Sequence, residues 1–209
     1  PYTGNQSKAL TYTEVPFTDN DGANLIGNPY PSSLDWAGLD ENYGAIYYWV
    51  GNGTTGDGSY LTWNNSVGSG SRYVPPMQGF FVVMPAAGTF SISNSDRVHS
   101  DASFYKSANE VKDNLLVLET VSKDISDKLY VQFDPSSDED FELRNDAYKF
   151  LSGTPGLSEL YSYTSDKKLA IDVRPRCEVV QLGFSNSLSG DYSIKTSQDS
   201  GITEAILEY

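Results

Sequence analysis

The sequence predicts an all-β fold, an antiparallel β-sandwich of jelly-roll-like character with very little helix. Three observations lead there. Short runs alternating between apolar and polar residues recur about every ten residues, the spacing that a sandwich or barrel produces. Gly, Pro, Asn, Asp or Ser bound each run and carry its turns. Composition agrees: 15 Tyr against 9 Phe and 3 Trp, with 18 Gly, describes strands joined by polar turns.

In chain order, period-2 alternation places strands at 10–15, 45–50, 60–63, 79–84, 89–92, 115–120, 128–133, 160–163, 170–173, 179–184, 191–196 and 205–209. Between the first two lies Asn24-Leu-Ile-Gly-Asn-Pro-Tyr-Pro-Ser-Ser-Leu-Asp-Trp36, a strand end followed by a tightly specified turn. Gly27 is free to take φ > 0, and Pro29 and Pro31 fix φ and extend Asn28 and Tyr30. Asn28, Ser32, Ser33 and Asp35 are placed to satisfy backbone amides, with Tyr30 and Trp36 as the apolar plug beneath. Residues 33–39 read as one helical turn, capped by Ser32 or Ser33 and stopped upstream by Pro31. Residues 146–151 read as a second. Residues 51–70 form a hairpin with a flexible Gly-rich tip and 60–63 as its return strand. In 73–82, Pro75 and Pro76 precede a buried strand, because proline cannot donate to a ladder.

A polar stretch at 107–114 marks a soft boundary. An N-terminal sandwich lobe at 1–106 and a C-terminal lobe at 107–209 are one organisation; a single continuous domain is the other. The chain has 209 residues, and its first residue is Pro rather than Met, so it reads as a piece of a longer protein. Net charge is −14, from 28 acidic and 14 basic residues. Such a surface repels phosphate backbones, which argues against nucleic acid as a partner. The apolar stretch 79–85 is too short for a bilayer, so no direct membrane insertion is expected.

Several segments, in order, resemble a family of β-rich modules in large surface and secreted proteins of Bacteroidetes exported by the type IX secretion system. They are Asn24–Trp36 as NLIGNPYPSxLDW, 45–49 as IYYW, 73–82 as YVPPMQGFFV followed by Arg97 and His99, and Asp146-Ala147-Tyr148-Lys149 as DAYK. Leu160-Tyr161-Ser162, the strand at 168–172 and the strand at 180–184 continue the likeness. The resemblance implies an extracellular or cell-surface location, with the sorting domain itself absent from this chain. It supplies no catalytic residues.

Two constellations have the residue types of a binding site. Trp49, Tyr60 and Trp63, beside Asp57 and Asn64, form the ingredients of a sugar platform, rings for apolar sugar faces and polar groups for hydroxyls. Against this, alternation puts Trp63 on the same face as Leu61, as a core ring would be. Acids crowd the stretch from Asp134 through Asp138 and Asp140 to Asp146, oxygen donors of the kind Ca²⁺ takes; a solvated loop is the competing reading. Asp19-Asn20-Asp21-Gly22 begins like a calcium loop without its distal glutamate. No required cofactor is expected, with calcium the one candidate.

Catalytic signatures are missing: there is no Gly-x-Ser-x-Gly, His-Glu-x-x-His or phosphate-binding glycine loop. The single Cys177, between Arg176 and Glu178, reads as a small packed side chain rather than half of a dyad with His99. The expectation is therefore a non-enzymatic structural or adhesive module, an adhesin segment whose partners are neighbouring domains of the same chain. A carbohydrate-binding module for polysaccharide or cell-surface glycan is the alternative, and a fragment of a secreted hydrolase a distant third.

Overall fold

The structure, a computed structural model, describes residues 4–10, 22–53, 56–84, 86–99, 112–122, 125–202 and 205–208. The strands begin with β1 (Gln6–Leu10), β2 (Ala23–Gly27), β3 (Ser33–Asp35), β4 (Ile46–Gly51), β5 (Gly58–Asn64), β6 (Val67–Gly68), β7 (Tyr73–Val74), β8 (Gly79–Val83) and β9 (Gly88–Ile92). They continue as β10 (Arg97–Val98), β11 (Leu115–Ser122), β12 (Ile125–Phe133), β13 (Ala147–Tyr148), β14 (Glu159–Thr164), β15 (Lys167–Arg174), β16 (Leu182–Ser185) and β17 (Ile194–Ser200). Helix among the described residues is one turn, α1 (Asp40–Tyr43), and two 3-10 turns at Trp36–Gly38 and Asn94–Asp96. The fold is all-β.

Two large sheets dominate. The first is five-stranded in the order β2-β8-β4-β5-β6, and every pairing in it is antiparallel. The second is seven-stranded, β16-β14-β15-β12-β11-β17 with β13 added against β15. Its β12–β15 pair is parallel, the exception to the antiparallel rule. Two small sheets, β10-β3-β7 and β1-β9, complete the β-structure.

Alternation along β4 and β8 explains how the layers stack. Ile46 and Tyr48, with Phe80 and Val82, face a cluster that holds Tyr30, Leu34, Trp36 and Phe90. Tyr47, Phe81 and Val83 turn the other way and meet Val117, Tyr130, Phe150 and Ile171. The five-stranded sheet is thus covered on both faces, and its second cluster draws on both halves of the chain. A third cluster, Leu116, Leu129, Val131 and Leu160, lies on the opposite face of β11 and β12. There β14 comes close to β12 and β11, two and three places along the sheet order, so the sheet curls around that cluster.

The GNPYP turn holds its plug as expected: Tyr30 and Trp36 are fully buried. Burying an aromatic of this size is worth about 4 kcal/mol by area before entropy is subtracted. Gly27 departs from expectation; it ends β2 without a positive φ. Residues 33–35 are strand rather than helix, because β3 pairs with both β10 and β7. The 3-10 turn that follows is capped by Asp35, which accepts from the Ala37 N–H, and not by Ser32 or Ser33. The second expected helical turn is β13, held on the edge of β15. The terminal strand is absent at 205–208, and β1 stops at Leu10, with 11–15 outside the described residues.

Candidate functional site

Trp49 and Tyr60 are cross-strand partners on β4 and β5, their rings edge to face with centroids 4.9 Å apart. Trp63 pairs with Ile46 on the other face and lies in the core beside Trp36, 5% exposed. Side chains at 60 and 63 are an odd number of residues apart and must point to opposite faces. The three rings therefore do not share a platform. Asn64 is fully buried, and its amide donates to the carbonyls of Leu143 (3.1 Å) and Asp146 (2.8 Å). Asp57 sits half-buried at the hairpin tip, its own carbonyl accepting from the Asn52 N–H.

What β4 and β5 build is a seam with the segment that follows Glu142. The Tyr47 hydroxyl accepts the Tyr148 N–H at 2.9 Å, and its ring stacks on Phe150 at 4.1 Å. Tyr60 meets the same Phe150 edge-on at 5.3 Å. At the far end the Thr154 hydroxyl both accepts the Gly58 N–H (2.9 Å) and donates to the Gly58 carbonyl (2.6 Å). Burial pushes the Tyr47 phenol well above its ordinary range.

Asp146 anchors this segment. One carboxylate oxygen accepts the Val173 N–H and the other the Glu142 N–H, each at 2.7 Å. Burial pushes its carboxyl up to about 7, with the Asp172 and Glu142 charges adding to the rise and the two N–H bonds opposing it.

Two ion pairs are buried beside the seam. Lys149 Nζ lies 2.5 Å from Asp127 Oδ1, with side chains 5% and 7% exposed. The other Asp127 oxygen accepts the Leu160 N–H at 2.7 Å. Next to Leu160, the buried Glu159 accepts the Ser152 N–H at 2.9 Å. Burial raises the Glu159 carboxyl, Lys149 lowers it and Asp127 raises it, so both charges are felt there. The second pair, Arg174 with Asp172, closes at 2.7 Å. Sequence reasoning missed Asp127, Lys149 and Glu159. The available signal was a single charge set among apolar strand residues, as Lys149 is between Tyr148 and Phe150.

The acids of the 134–146 loop are not gathered. Asp134 Oδ1 accepts the Ser136 N–H and hydroxyl, which hold its carboxyl below the usual range. Asp138 accepts the Glu139 N–H and Asp140 the Ser165 hydroxyl, both at the exposed surface. Asp146 has turned inward to β15. Among the described residues no three His, Cys, Asp or Glu side chains converge as a metal site would require. Asp19, Asn20 and Asp21 lie outside the described residues. Cys177 is exposed rather than packed, because it follows the end of β15 instead of lying within a strand.

A surface groove of about 370 Å³ runs between α1 and the β9 end, lined by Asn5, Asn42, Tyr43, Ser91, Ser93 and Asp96 among others. The Tyr43 ring forms its floor against Phe90, centroids 4.6 Å apart.

No curated protein and no solved structure matches the chain. A family model described as a domain of unknown function (DUF8693) matches residues 2–206, nearly the whole length over which these sheets and their seam extend; the chain belongs to that family.

Proposed function

We propose that this chain is a non-catalytic extracellular β-module of a large bacterial cell-surface or secreted protein, with a structural or adhesive role toward neighbouring domains of the same chain. One observation supports this reading above others. Of the side chains with binding chemistry, Trp63 is packed in the first-half core, while Asn64, Thr154 and Asp146 are engaged in buried contacts that join the five-stranded sheet to the second half and hold its segment in place. The ordered NLIGNPYPSxLDW-to-DAYK segments support the location. Trp63→Ala tests the role of the ring: opening a cavity of that size is expected to cost about 3–5 kcal/mol in urea unfolding. A cost below about 1 kcal/mol would mean that the ring is dispensable to the core.

Carbohydrate binding is the second reading, favoured by the Tyr43 groove rather than by the hairpin. A half-buried ring floor with amides, hydroxyls and one carboxylate around it suits a sugar face and its hydroxyls. Glycan titration decides between the two. The structural reading expects no saturable binding to wild type. Binding that Asn42→Ala weakens would replace it with the carbohydrate reading.

A further inference from the structure

We propose that Lys149 and Asp127 are joined by an amide bond between Nζ and Cγ, formed by the folded chain itself with Glu159 carrying the proton. Geometry singles out this pair. The amine is in contact with the carboxyl group at 2.5 Å, and both side chains are buried. The other ion pairs among the described residues fall short in one of two ways. Three use arginine, whose guanidinium stays protonated and is no nucleophile: Arg72–Asp35, Arg144–Glu41 and Arg174–Asp172. Two leave the lysine more than a third exposed or close to it, Lys128–Glu119 at 4.0 Å and Lys167–Asp166.

The environment favours condensation. Two full charges buried together carry a desolvation penalty of several kcal/mol per ion, about what their attraction returns. Passing one proton along the Nζ–H···Oδ1 hydrogen bond neutralises both and leaves a free amine facing a carboxylic acid. Those are the two reactants an amide needs, held in contact without loss of further freedom. As the amine adds to Cγ, negative charge develops on Oδ2, and the Leu160 N–H already points at that oxygen from 2.7 Å.

Atoms balance without a co-reactant. The Nζ–Cγ bond forms and the Cγ–Oδ1 bond breaks. Glu159 takes a proton from the nitrogen and passes it to the departing Oδ1, which leaves as water. Oδ2 remains as the amide carbonyl, still bonded to Leu160. Ammonium and carboxylate become one amide and one water, with nothing oxidised or reduced. Glu159 is suited to the transfer because it is buried, precedes the Leu160 whose N–H holds Asp127, and feels the charges of both Lys149 and Asp127, while burial raises its carboxyl. A cavity of about 10 Å³, lined by Asp127, Lys149, Tyr130 and Ser69 among others, adjoins the pair. That is the space of a single water molecule.

The bond would tie β12 to the segment carrying Tyr148 and Phe150, on which the five-stranded sheet is seated. Tension across the module would then load a covalent link rather than an ion pair.

Intact-mass spectrometry of the folded wild-type chain is the test. The expected mass is lower than the sequence mass by one water, and proteolysis is expected to release a branched peptide containing Lys149 and Asp127. Lys149→Arg is expected to restore the full mass, as is Glu159→Gln, which keeps both reacting residues. Full sequence mass in the wild type, or a water loss that maps elsewhere such as an aspartimide at Asp57–Gly58, overturns the proposal. The branched peptide persisting unchanged in Glu159→Gln overturns the role given to that residue.

Discussion

Asn28 organises a turn in which Pro29 and Pro31 provide no N–H groups. Its amide nitrogen donates to the carbonyls of Ser32, Val74 and Pro75, and its oxygen accepts the Tyr30 N–H at 3.0 Å. With the turn fixed, the Tyr30 hydroxyl reaches the Gly4 carbonyl and the Trp36 indole N–H the Gly44 carbonyl, so two large buried rings keep their polar atoms satisfied. Asp146 is the buried acid with a consequence for pH. Its carboxyl rises from 3.8 to about 7 on folding. Between those values the folded chain holds a proton that the unfolded chain has released. The stability it contributes is therefore full below about pH 4 and is lost as pH rises toward 7, by at most about 1.4 kcal/mol for each pH unit crossed. Asp146→Asn has no proton to lose. Urea midpoints for the two proteins, taken from about pH 4 to about pH 8, are expected to show wild type losing ground to the variant across that window. Parallel curves would contradict the assignment.

At the scale of elements, the β5–β6 hairpin is a two-residue connection, as is that between β14 and β15. Asn65 and Ser66 both take positive φ, the backbone of a two-residue hairpin turn matched to strand twist. Gly68 follows with φ of 124°, and a Cβ there would stand 2.0 Å from the Thr62 carbonyl oxygen. Backbone on both sides leaves that contact no way to relax. Gly68→Ala is expected to cost about 1–3 kcal/mol in thermal or urea unfolding, since strain and a steric clash combine. A cost within about 0.5 kcal/mol would show that the turn accommodates a side chain. The parallel β12–β15 pair has a different demand. Parallel strands need a long crossover, and here it carries the acidic loop, β13 and β14. Asp138, Glu139 and Asp140 of that crossover face water, where they repel least, whereas its Asp146 and Glu159 are buried.

For the whole molecule, the net charge of −14 and the arrangement of sheets bear on calcium. A ligand that binds only the folded state raises the melting temperature by mass action. With Asp146 committed to backbone N–H groups, Asp134, Asp138 and Asp140 are left as separate surface acids. Melting curves in millimolar Ca²⁺ and in EDTA, at matched ionic strength, are expected to coincide. A saturable rise in calcium alone would show that the loop closes around the ion.

Alternation is a local property, since neighbouring side chains on an extended chain point to opposite faces. For that reason the sequence by itself determined the all-β class, most of the long strands, the buried Tyr30 and Trp36 and the core-facing Trp63. Proline and glycine chemistry, equally local, placed the turns. Tertiary structure alone decided the rest. Ser33–Asp35 and Ala147–Tyr148 are strands because distant partners, β10, β7 and β15, complete their ladders, and a two- or three-residue strand is too short to carry a period. Asn64 was legible as a polar residue beside a hairpin, but its burial depends on the segment that folds over it. Asp127, Lys149 and Glu159 come from two strands and a loop, brought together as the seven-stranded sheet curls. No local pattern marks such a meeting, because whether a charge is buried is set by the layer packed above it.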